Sequence, residues 1–518
     1  MCAVGTHSLP ESLYAADGVR LLDRYAIEKC GIPGFDLMHQ AARSAFRQLC
    51  RHWPDASTVA VLCGAGNNGG DGYLIAASAV RQGMTVLCFA VSPVTRLTGD
   101  ALAAHHEAVE TGVVVQAVDE NDLSGLASQL STADVIVDAM LGTGISGPLR
   151  APFDQLVPTV NAAARPVLAV DVPSGLDAST GSVASDAVRA KVTVTFIGLK
   201  AGLLTGLGPD YVGDVLFDDL GVPDKAYATV EPVARRVDWS GMAADLPVRR
   251  RGAHKGDCGH LLVVAGERGF GGAGLLAAEA AARSGAGLVT LATRPEHVSA
   301  ALARCPSLMV HGLTHGNDLD ALLNSADGVV FGPGAGQGAW GQQMLQRIMQ
   351  FNGPVLMDAD ALNMLSARAP GRKQNWILTP HPGEAARMLG EDTSAVMQDR
   401  LSAVVRLQKK YGGVVLLKGA GTLVYADTLA VPALVQGGNP GMATAGMGDV
   451  LSGIIGALVV QGMSVSDATI TGASLHGEAA DRAALETGFM GMLPMDLIDR
   501  IPRVLGEAEG VLIPLGFQ

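Results

Sequence analysis

Short apolar runs that end in loops of Gly, Asp or Pro alternate with segments of helical spacing along most of this sequence. The first series of apolar runs covers residues 59–63, 85–90, 135–139, 167–172 and 192–197. The second series covers residues 261–265, 288–292, 328–331, 355–357, 376–378 and 414–417. Such alternation is typical of parallel β-sheets covered by helices. The sequence therefore predicts the α/β class, with two separate sheets.

The chain length supports two domains. At 518 residues the chain exceeds the roughly 250–300 residues at which a single core stops growing. Residues 226–245 combine mixed charge with no sustained hydrophobic period, and we predict a linker there. The predicted domains are therefore residues 1–225 and 246–510. Residues 10–53 carry helical spacing interrupted at Gly31-Ile32-Pro33-Gly34, which predicts two helices before the first sheet.

Charge and cysteine usage restrict the partners. The net charge of −13 and the pI near 5.4 argue against nucleic-acid binding, which needs a basic surface. Seven cysteines form no C-x-x-C pair, which favours reduced thiols and a cytoplasmic protein. The N-terminus lacks the pattern of a signal peptide, and no apolar stretch reaches the roughly 20 residues that span a bilayer. We expect small-molecule substrates, no membrane association and a homo-oligomer.

The first glycine-rich motif follows the run at 59–63. It reads Gly64-Ala65-Gly66-Asn67-Asn68-Gly69-Gly70-Asp71-Gly72, satisfies G-x-G-x-x-G and precedes a helix expected at 73–81. A dinucleotide-dependent dehydrogenase is one interpretation. Against it, the next strand ends without an Asp or Glu for a ribose hydroxyl, and Asp71 would bring a carboxylate close to the pyrophosphate.

Two aspartates follow buried strands in the same series. Asp138 lies in Val-Asp-Ala-Met-Leu-Gly-Thr-Gly, and Asp171 lies in Val-Asp-Val-Pro-Ser-Gly. Open α/β sheets place their sites at the carboxyl ends of strands, so these residues and Asn68 are expected to gather at one edge. Either aspartate alone could cap a helix. Together they suit oxygen ligation of a hard cation and a general base.

A second motif, Gly446-Met447-Gly448-Asp449, opens an apolar segment near the C-terminus. Glycines let the backbone approach a phosphate, a helix N-terminus stabilises its charge, and Asp449 could accept the proton of an attacking hydroxyl. The motif alone also fits an ordinary helix start with an acidic residue in its first turn. No G-x-x-x-x-G-K-[ST] occurs in the sequence, so a P-loop nucleotidase is unsupported.

Other polar loops follow strands of the second series. They contain Gly332–Gly336, Asp358–Asp360, Thr379–Glu384 and Lys418–Thr422. His381 could contact a ligand or simply stand before a helix whose first turn holds Glu384. Lys418 could bind phosphate or be a solvated strand end. Their recurrence at successive strand ends favours one shared cleft.

Residues 10–220 resemble the NAD(P)H-hydrate epimerase domain through Asn-Asn-Gly-Gly-Asp-Gly, Val-Asp-Ala-x-Leu-Gly-Thr-Gly and Val-Asp-x-Pro-Ser-Gly. The resemblance implies a Rossmann-like three-layer α/β sandwich, with Asp171 as substrate contact and base. It implies a potassium ion held by Asn68, Asp138 and Ser174. It also implies that the hydrated nucleotide is bound by Asn67, Asn68, Gly69, Gly70, Asp71, Gly142, Thr143, Gly144, Ile145, Ser146, Gly147 and Pro148.

Residues 245–505 resemble the ADP-dependent NAD(P)H-hydrate dehydratases, a ribokinase-like α/β family. The shared motifs are His254-Lys255-Gly256, Gly-Pro-Gly-x-Gly, Asp-Ala-Asp-Ala-Leu, His-Pro-Gly-Glu, Lys-Gly and G-x-G-D. The resemblance implies magnesium, ADP as co-substrate and a catalytic Asp449. It implies that the hydrated nucleotide contacts Ala273, Gly336, His381 and Asp449. It places the adenine nucleotide at Lys418, Gly419, Ala420, Gly421, Thr422 and Gly448.

The sequence therefore predicts a bifunctional metabolite-repair enzyme. One domain would interconvert the R and S epimers of hydrated NADH or NADPH, and the other would dehydrate the S epimer with ADP, giving AMP and phosphate. A ribokinase-like vitamin-precursor kinase with an accessory domain is the first alternative, because the G-x-G-D motif alone fits it. A nucleotide-sensing module without catalysis is the second, although Asp171 and Asp449 are both present.

Overall fold

The computed structural model describes residues 9–119, 123–144, 147–368 and 371–511. The chain divides into two compact units, Met1–Arg235 and Arg236–Gln518. Each unit contains strands and helices in alternation, and each has a sheet whose central strands are parallel. The prediction of two α/β domains is confirmed.

The first unit begins with two helices and continues as alternating strands and helices. Its strands are β1 Ser12–Tyr14, β2 Thr58–Cys63, β3 Thr85–Ala90, β4 Val115–Ala117, β5 Val135–Ala139, β6 Val167–Val170, β7 Val192–Phe196, β8 Leu199–Lys200 and β9 Asp214–Asp218. Its α-helices are α1 Ala16–Glu28, α2 Gly34–His52, α3 Asn67–Arg81, α4 Gly99–Glu110, α5 Leu123–Leu130, α6 Phe153–Ala162, α7 Gly208–Tyr211 and α8 Asp224–Tyr227. Helices α1 and α2 are the pair predicted within residues 10–53.

The main sheet of the first unit is entirely parallel. Its strand order is β4-β3-β2-β5-β6-β7-β9. Strand β2 has β3 on one side and β5 on the other, so the direction of winding reverses between β2 and β5. Open α/β sheets bind ligands at this kind of switch point, beyond the carboxyl ends of the strands. A ligand is therefore expected beside the loops that follow β2 and β5.

Helix α3 begins at Asn67, six residues before the helix start expected at residue 73. The motif that glycine content marks as a loop is therefore mostly the first turns of a helix. A Cβ added to Gly69 would lie 2.0 Å from the carbonyl oxygen of Gly64. Gly69 therefore allows the helix to lie close to the end of β2. An interpretation of glycine only as a loop residue does not predict this contact.

The second unit continues the alternation and ends in three helices. Strand β10 Ala234–Val237 crosses the division between the units, and β11 His260–Val264, β12 Leu288–Thr293, β13 Met309–Gly312, β14 Gly328–Phe331, β15 Val355–Met357, β16 Trp376–Leu378, β17 Val414–Leu417, β18 Thr422–Ala426 and β19 Ala433–Val435 follow. The α-helices are α9 Trp239–Met242, α10 Gly271–Arg283, α11 Val298–Arg304, α12 Asp320–Leu323, α13 Ala339–Ile348, α14 Asp360–Ser366, α15 Pro382–Leu389, α16 Thr393–Gln398, α17 Arg400–Tyr411, α18 Met447–Val460, α19 Val465–Gly491 and α20 Pro494–Ala508.

Strands β13-β12-β11-β14-β15-β16-β17 of the second unit run parallel, and β18 and β19 continue the sheet antiparallel. The winding reverses between β11 and β14. Helix α18 is almost entirely buried between the sheet, α10 and α19. Among the helices that the structure describes, none combines the length and apolarity needed to cross a membrane.

Candidate active sites

A cavity of about 780 Å³ opens at the switch point of the first sheet. Its walls include the predicted residues Asn67, Asn68, Asp71, Gly142, Thr143, Gly144 and Asp171. Small-molecule sites commonly enclose about 300–1,000 Å³. The loops after β2, β5 and β6 therefore meet around a space of the right size for one nucleotide-sized ligand.

Asp171 stands directly after β6 in a left-handed backbone conformation, with φ of +67°. Its N–H donates to the carbonyl of Val194 at 2.7 Å, which keeps the residue attached to β7 as the chain leaves the sheet. Asp and Asn tolerate this conformation better than most residues with a Cβ. The turn places the Asp171 side chain in the cavity wall.

A buried lysine pairs with Asp171. Lys200, only 1% exposed, contacts Oδ1 of Asp171 and also donates to the Phe196 carbonyl at 2.9 Å and the Thr195 hydroxyl at 3.1 Å. The same Oδ1 accepts hydrogen bonds from the Thr195 hydroxyl at 3.1 Å and the Phe196 N–H at 3.3 Å. The contacts that Lys200, Thr195 and Phe196 make with the Asp171 side chain all go to Oδ1. The arrangement fixes the carboxylate and leaves Oδ2 outside this set of bonds.

Two other carboxyl groups in the cavity hold their protons more tightly than usual. Burial raises the pKa of Asp71 well above its ordinary range, and the nearby charges of Asp171 and Asp23 raise it further against the opposing effect of Lys200. Burial also raises the pKa of Asp23, with Asp171 adding to the effect. The cavity therefore combines carboxyl groups of raised pKa with the lysine-paired Asp171, an arrangement that separates candidates for a proton donor and a proton acceptor.

The predicted potassium ligands lie together behind the cavity. Asp138 is fully buried and accepts from the N–H and hydroxyl of Ser174 at 2.8 and 2.7 Å. The Asn68 amide donates to the Leu141 carbonyl at 3.1 Å, and the Ser174 hydroxyl lies 3.3 Å from the same oxygen. Burial raises the pKa of Asp138 to about 6, against the hydrogen bonds from Ser174.

The Asn68 side chain provides a test of whether a cation fits. Its Oδ1 atom is buried and has no hydrogen-bond partner among the described residues. Buried polar atoms nearly always have a partner, so an oxygen in this position suits a cation. The donor set of Asn68, Asp138 and Ser174 therefore fits an oxygen-ligated ion.

Several predicted substrate contacts stand apart from the cavity wall. Gly69 is buried against the backbone of Gly64 and Gly70 against α2 and α4, whereas Gly147 and Pro148 are exposed outside the lining residues. Ile145 and Ser146 lie outside the described residues.

The second site centres on the first turn of α18, where Asp449 lies. Gly446 precedes this helix in a left-handed conformation, with φ of +97°, a geometry that favours glycine. Burial raises the pKa of Asp449 to about 7, with Asp358 adding to the effect and Lys418 opposing it. Asp449 is thus a carboxyl group whose proton exchanges near neutral pH, the property expected of a general base.

Lys418 links the ends of β17 and β15. Its ammonium lies 2.8 Å from Oδ1 of the buried Asp358, whose Oδ2 accepts from the Ser452 hydroxyl at 3.0 Å. Burial alone would lower the pKa of Lys418, but Asp358 and Glu384 outweigh it and the pKa is raised. A Cβ on Gly448 would be 3.3 Å from the Lys418 nitrogen, so the predicted nucleotide residues Lys418 and Gly448 are neighbours.

A strained residue organises the acidic loop after β15. Ala359 has φ of +49°, a conformation rarely adopted by residues with a Cβ. It separates Asp358, bound to Lys418, from Asp360, whose Oδ2 accepts from the N–H of Gly336 at 2.9 Å. Ala273 is close to the same loop system, because a Cβ on Gly334 would lie 3.2 Å from its Cβ. The predicted contacts Ala273 and Gly336 therefore lie near one another.

His381 caps helix α15. Its Nδ1 accepts from the N–H of Gly383 at 3.0 Å, while Glu384 accepts from the N–H of His381 at 2.8 Å. Burial lowers the pKa of His381, and the positive charges of Lys418 and Arg387 lower it further. The structure thus realises the interpretation in which His381 and Glu384 belong to a helix start. The side chain stays 50% exposed, so capping leaves it accessible to a ligand.

Sequence reasoning missed three charged residues of these sites. Lys200 follows the apolar run at 192–197, and this position after an expected strand was the only sequence feature that could have marked it as a site residue. Asp23 is one polar residue of an amphipathic helix, α1, with nothing to distinguish it. Arg400 opens helix α17 and reaches the carbonyls of the Lys418 loop, a contact between segments about 20 residues apart. Only the folded arrangement reveals the last two.

Comparisons with known proteins cover both units. Residues 34–202 match the family model described as YjeF-related protein N-terminus, and residues 261–503 match that described as NAD(P)H-hydrate dehydratase. The solved ADP/ATP-dependent NAD(P)H-hydrate dehydratase of Bacillus subtilis, co-crystallised with ATP and Mg²⁺, is 29% identical and covers 52% of this chain and 97% of its own, with a TM-score of 0.49.

Full-length relatives match as well. The bifunctional NAD(P)H-hydrate repair enzyme Nnr of Coxiella burnetii is 44% identical over 95% of this chain and 99% of its own length. The protein of the same name from Escherichia coli is 43% identical over 96% of this chain and 95% of its own. The resemblance expected from the motifs is confirmed in both halves. The chain belongs to the family of bifunctional NAD(P)H-hydrate repair enzymes.

Proposed function

We propose that the first unit interconverts the R and S epimers of hydrated NADH or NADPH, and that the second dehydrates the S epimer at the expense of ADP, giving AMP and phosphate. The family membership supports both activities. The geometry supports two chemically different sites, because the first presents a lysine-paired carboxylate in the wall of an open cavity and the second a carboxylate at a helix N-terminus.

Epimerisation requires a proton acceptor and no redox chemistry. Water adds to the dihydronicotinamide ring at the carbon next to nitrogen, because that carbon is the electrophile once the ring is protonated. Removal of the hydroxyl proton by Asp171 forms a C=O bond as the C–N bond breaks, and the nitrogen takes a proton. Rotation and reclosure on the other face of the carbonyl give the second epimer, and the protons return. Asp171 is proposed as the base for this reaction.

A potassium ion is proposed at Asn68, Asp138 and Ser174. The orphaned Oδ1 of Asn68 and the buried carboxyl of Asp138 support it. A bound cation would supply positive charge beside the loop of Gly142–Gly144, and so favour an anionic nucleotide there. Asn68 would connect this ion to the cavity, because it lines the wall as well.

Dehydration requires a better leaving group than hydroxide. Asp449 is proposed to take the hydroxyl proton while the oxygen attacks the β-phosphorus of ADP, releasing AMP. Loss of phosphate from the substrate, with loss of a proton from the neighbouring carbon, then restores the C=C bond. Lys418–Thr422 and Gly448 are proposed to hold the nucleotide, and Ala273, Gly336 and His381 the substrate. Magnesium would balance the phosphate charge, with Asp358 and Asp360 as nearby carboxylates.

The observation that carries the dehydratase proposal is the position of Asp449, in the first turn of α18, with a pKa near 7. The test is incubation of the purified chain with an epimer mixture of hydrated NADH, Mg²⁺ and ADP, followed at 340 nm. Complete recovery of NADH supports both activities. Recovery that stops at the S fraction contradicts the epimerase, and absence of recovery contradicts the dehydratase.

We further propose domain boundaries at residues 1–225 and 246–510 and a homo-oligomer acting in the cytoplasm. The six cysteines within the described residues are free thiols, which supports the location. Residues 226–245 contain the end of α8, all of β10 and all of α9. Sedimentation equilibrium tests the oligomer, and cell fractionation tests the location.

A further inference from the structure

Arg400 lies at the start of α17, behind the loop that joins β17 to β18. Its side chain is almost completely buried, with the residue 1% exposed. One guanidinium nitrogen, Nη1, donates to the carbonyls of Ala420 and, at 3.1 Å, Gly421. The other, Nη2, donates to the carbonyls of Leu417 at 3.3 Å and Lys418 at 3.1 Å. One side chain thus binds four carbonyls of a five-residue stretch.

The fifth carbonyl of this stretch is also engaged. The hydroxyl of Thr422 donates to the carbonyl of Gly419 at 3.1 Å. Each carbonyl from Leu417 to Gly421 is therefore occupied as a hydrogen-bond acceptor from within the protein. These bonds direct the carbonyls towards Arg400 and Thr422, so the loop suits an anion better than a cation.

Peptide geometry fixes where the N–H groups point. In a planar trans peptide the C=O of one residue and the N–H of the next point in opposite directions. Because the carbonyl of Lys418 points at Arg400, the N–H group of Gly419 points away from it. A backbone N–H turned outward at a glycine, beside a helix N-terminus, is a donor suited to a phosphate oxygen. The neighbouring Lys418 ammonium and the N-terminus of α18 add positive charge.

Glycine 419 is required for this contact. Its φ of +141° is one that residues with a Cβ rarely adopt, and an added Cβ would lie 2.7 Å from Nη2 of Arg400. Burial lowers the pKa of Arg400 to about 10, so the guanidinium remains charged at neutral pH. The charge sits on the far side of the loop from the N–H group of Gly419, within a poorly screened interior.

We infer that Arg400 is a positioning residue for the dehydratase: it holds the Lys418–Thr422 loop with the N–H group of Gly419 turned to the phosphates of the nucleotide. This inference rests on the proposed function of the second unit. Arg400 acts through the loop and does not itself touch substrate. Loss of the Arg400 side chain should therefore weaken nucleotide binding to the second unit and change the epimerase activity of the first unit little.

The test compares Arg400→Lys, Gly419→Ala and Arg406→Lys. Lysine keeps the charge of Arg400 but cannot reach four carbonyls, and alanine at 419 disturbs the same contact from the other side. Arg406 lies on the same helix but pairs with Glu391 at the surface, so it is the matched control. The Kd of Mg-ADP is measured by calorimetry, and the KM for ADP and for the hydrate by kinetics.

We expect Kd and KM for ADP to rise about 10- to 100-fold in Arg400→Lys and Gly419→Ala, with the KM for the hydrate and epimerase activity close to wild type. Arg406→Lys should behave as wild type. ADP binding unchanged in both folded variants, or equal losses of ADP binding and epimerase activity, would overturn the positioning role. A wild-type chain that neither binds ADP nor dehydrates the hydrate would overturn the proposed function instead.

Discussion

Asp449 keeps its proton to higher pH than an exposed aspartate because burial and the charge of Asp358 outweigh the attraction of Lys418. A general base works only when ionised, so the dehydratase kcat should rise with pH through about 7 and fall tenfold per unit well below it. Stopped-flow rates between pH 5.5 and 9 measure this. A flat profile through pH 6–8, with chemistry rate-limiting, would contradict the role of Asp449.

We expect Asp449→Asn to lower dehydratase activity and to raise the free energy of unfolding. Removing the base should lower the dehydratase kcat by about 10²- to 10⁴-fold and leave epimerisation unchanged. Above pH 7 the folded protein holds an ionised carboxylate that burial disfavours, so the variant should be more stable, on the order of 1–2 kcal/mol at pH 8. Urea unfolding at pH 8 measures the difference. Asp427→Asn, at a half-exposed surface position, provides the control.

The residues proposed as catalytic were easier to identify from the sequence than the charged residues that contact them or their loops. Asp171 and Asp449 stand in short motifs at strand ends or helix starts, where the sequence itself signals a site. Lys200 and Arg400 act on residues about 20 to 30 positions away, through contacts that depend on how strands and helices pack. A single sequence carries no measure of those distances. The prediction accordingly named Asp171, Asp449 and Lys418 from their motifs and missed Lys200 and Arg400, which stand in none.

At the scale of secondary structure, all eleven predicted strands are present, strands β1, β4, β8, β9, β10, β13, β18 and β19 were not predicted, and one helix start was misplaced. Apolar runs identify buried parallel strands because both faces of such a sheet are covered. Glycine is a poorer guide, since it marks loops and also close helix packing. In α3 the second use applies, and the predicted loop at 67–72 is helical. At α18 the glycines do both, because Gly446 ends a turn and Gly453 lies against α10.

Helix α19 carries a buried histidine beneath the start of α18. Burial lowers the pKa of His476 to about 4, with a hydrogen bond to the Met447 backbone opposing the effect. As pH falls, His476 therefore becomes protonated near pH 6.5 in the unfolded chain but only near pH 4 in the folded chain. Stability should fall as pH decreases through this window, by at most about 1.4 kcal/mol per pH unit, and level off below it.

The variant His476→Gln isolates this contribution. Asp138 and Asp449, whose folded pKa values are raised, change stability in the opposite direction over much of the same range. The parent and variant share those aspartates, so they cancel in the difference. Urea unfolding at pH 7 and pH 5 should show a smaller acid loss in the variant, by about 2 kcal/mol. Equal losses in the two proteins would contradict a neutral buried His476.

At the scale of the whole molecule, length and alternation correctly predicted two α/β units. The candidate-site residues lie after strands of their own sheets: those of the first unit gather where the winding reverses, and those of the second unit follow β14, β15, β16 and β17. The sequence could not show which motif residues reach the cavity. Gly69 and Gly70 belong to the first motif but are buried in packing, because the helix they open turns them from the cavity towards its neighbours.

Each unit holds its own acid–base residues, so the two activities should be separable and able to complement one another. Asp171→Asn should recover NADH only from the S fraction of a hydrate mixture, and Asp449→Ala should recover none. An equimolar mixture of the two variants should recover all of it, because the epimerised substrate can leave one chain and bind another. Absorbance at 340 nm after long incubation with ADP measures each case. A mixture that stops at the S fraction would show that the substrate cannot pass between chains, and that the two reactions require both intact sites in one polypeptide.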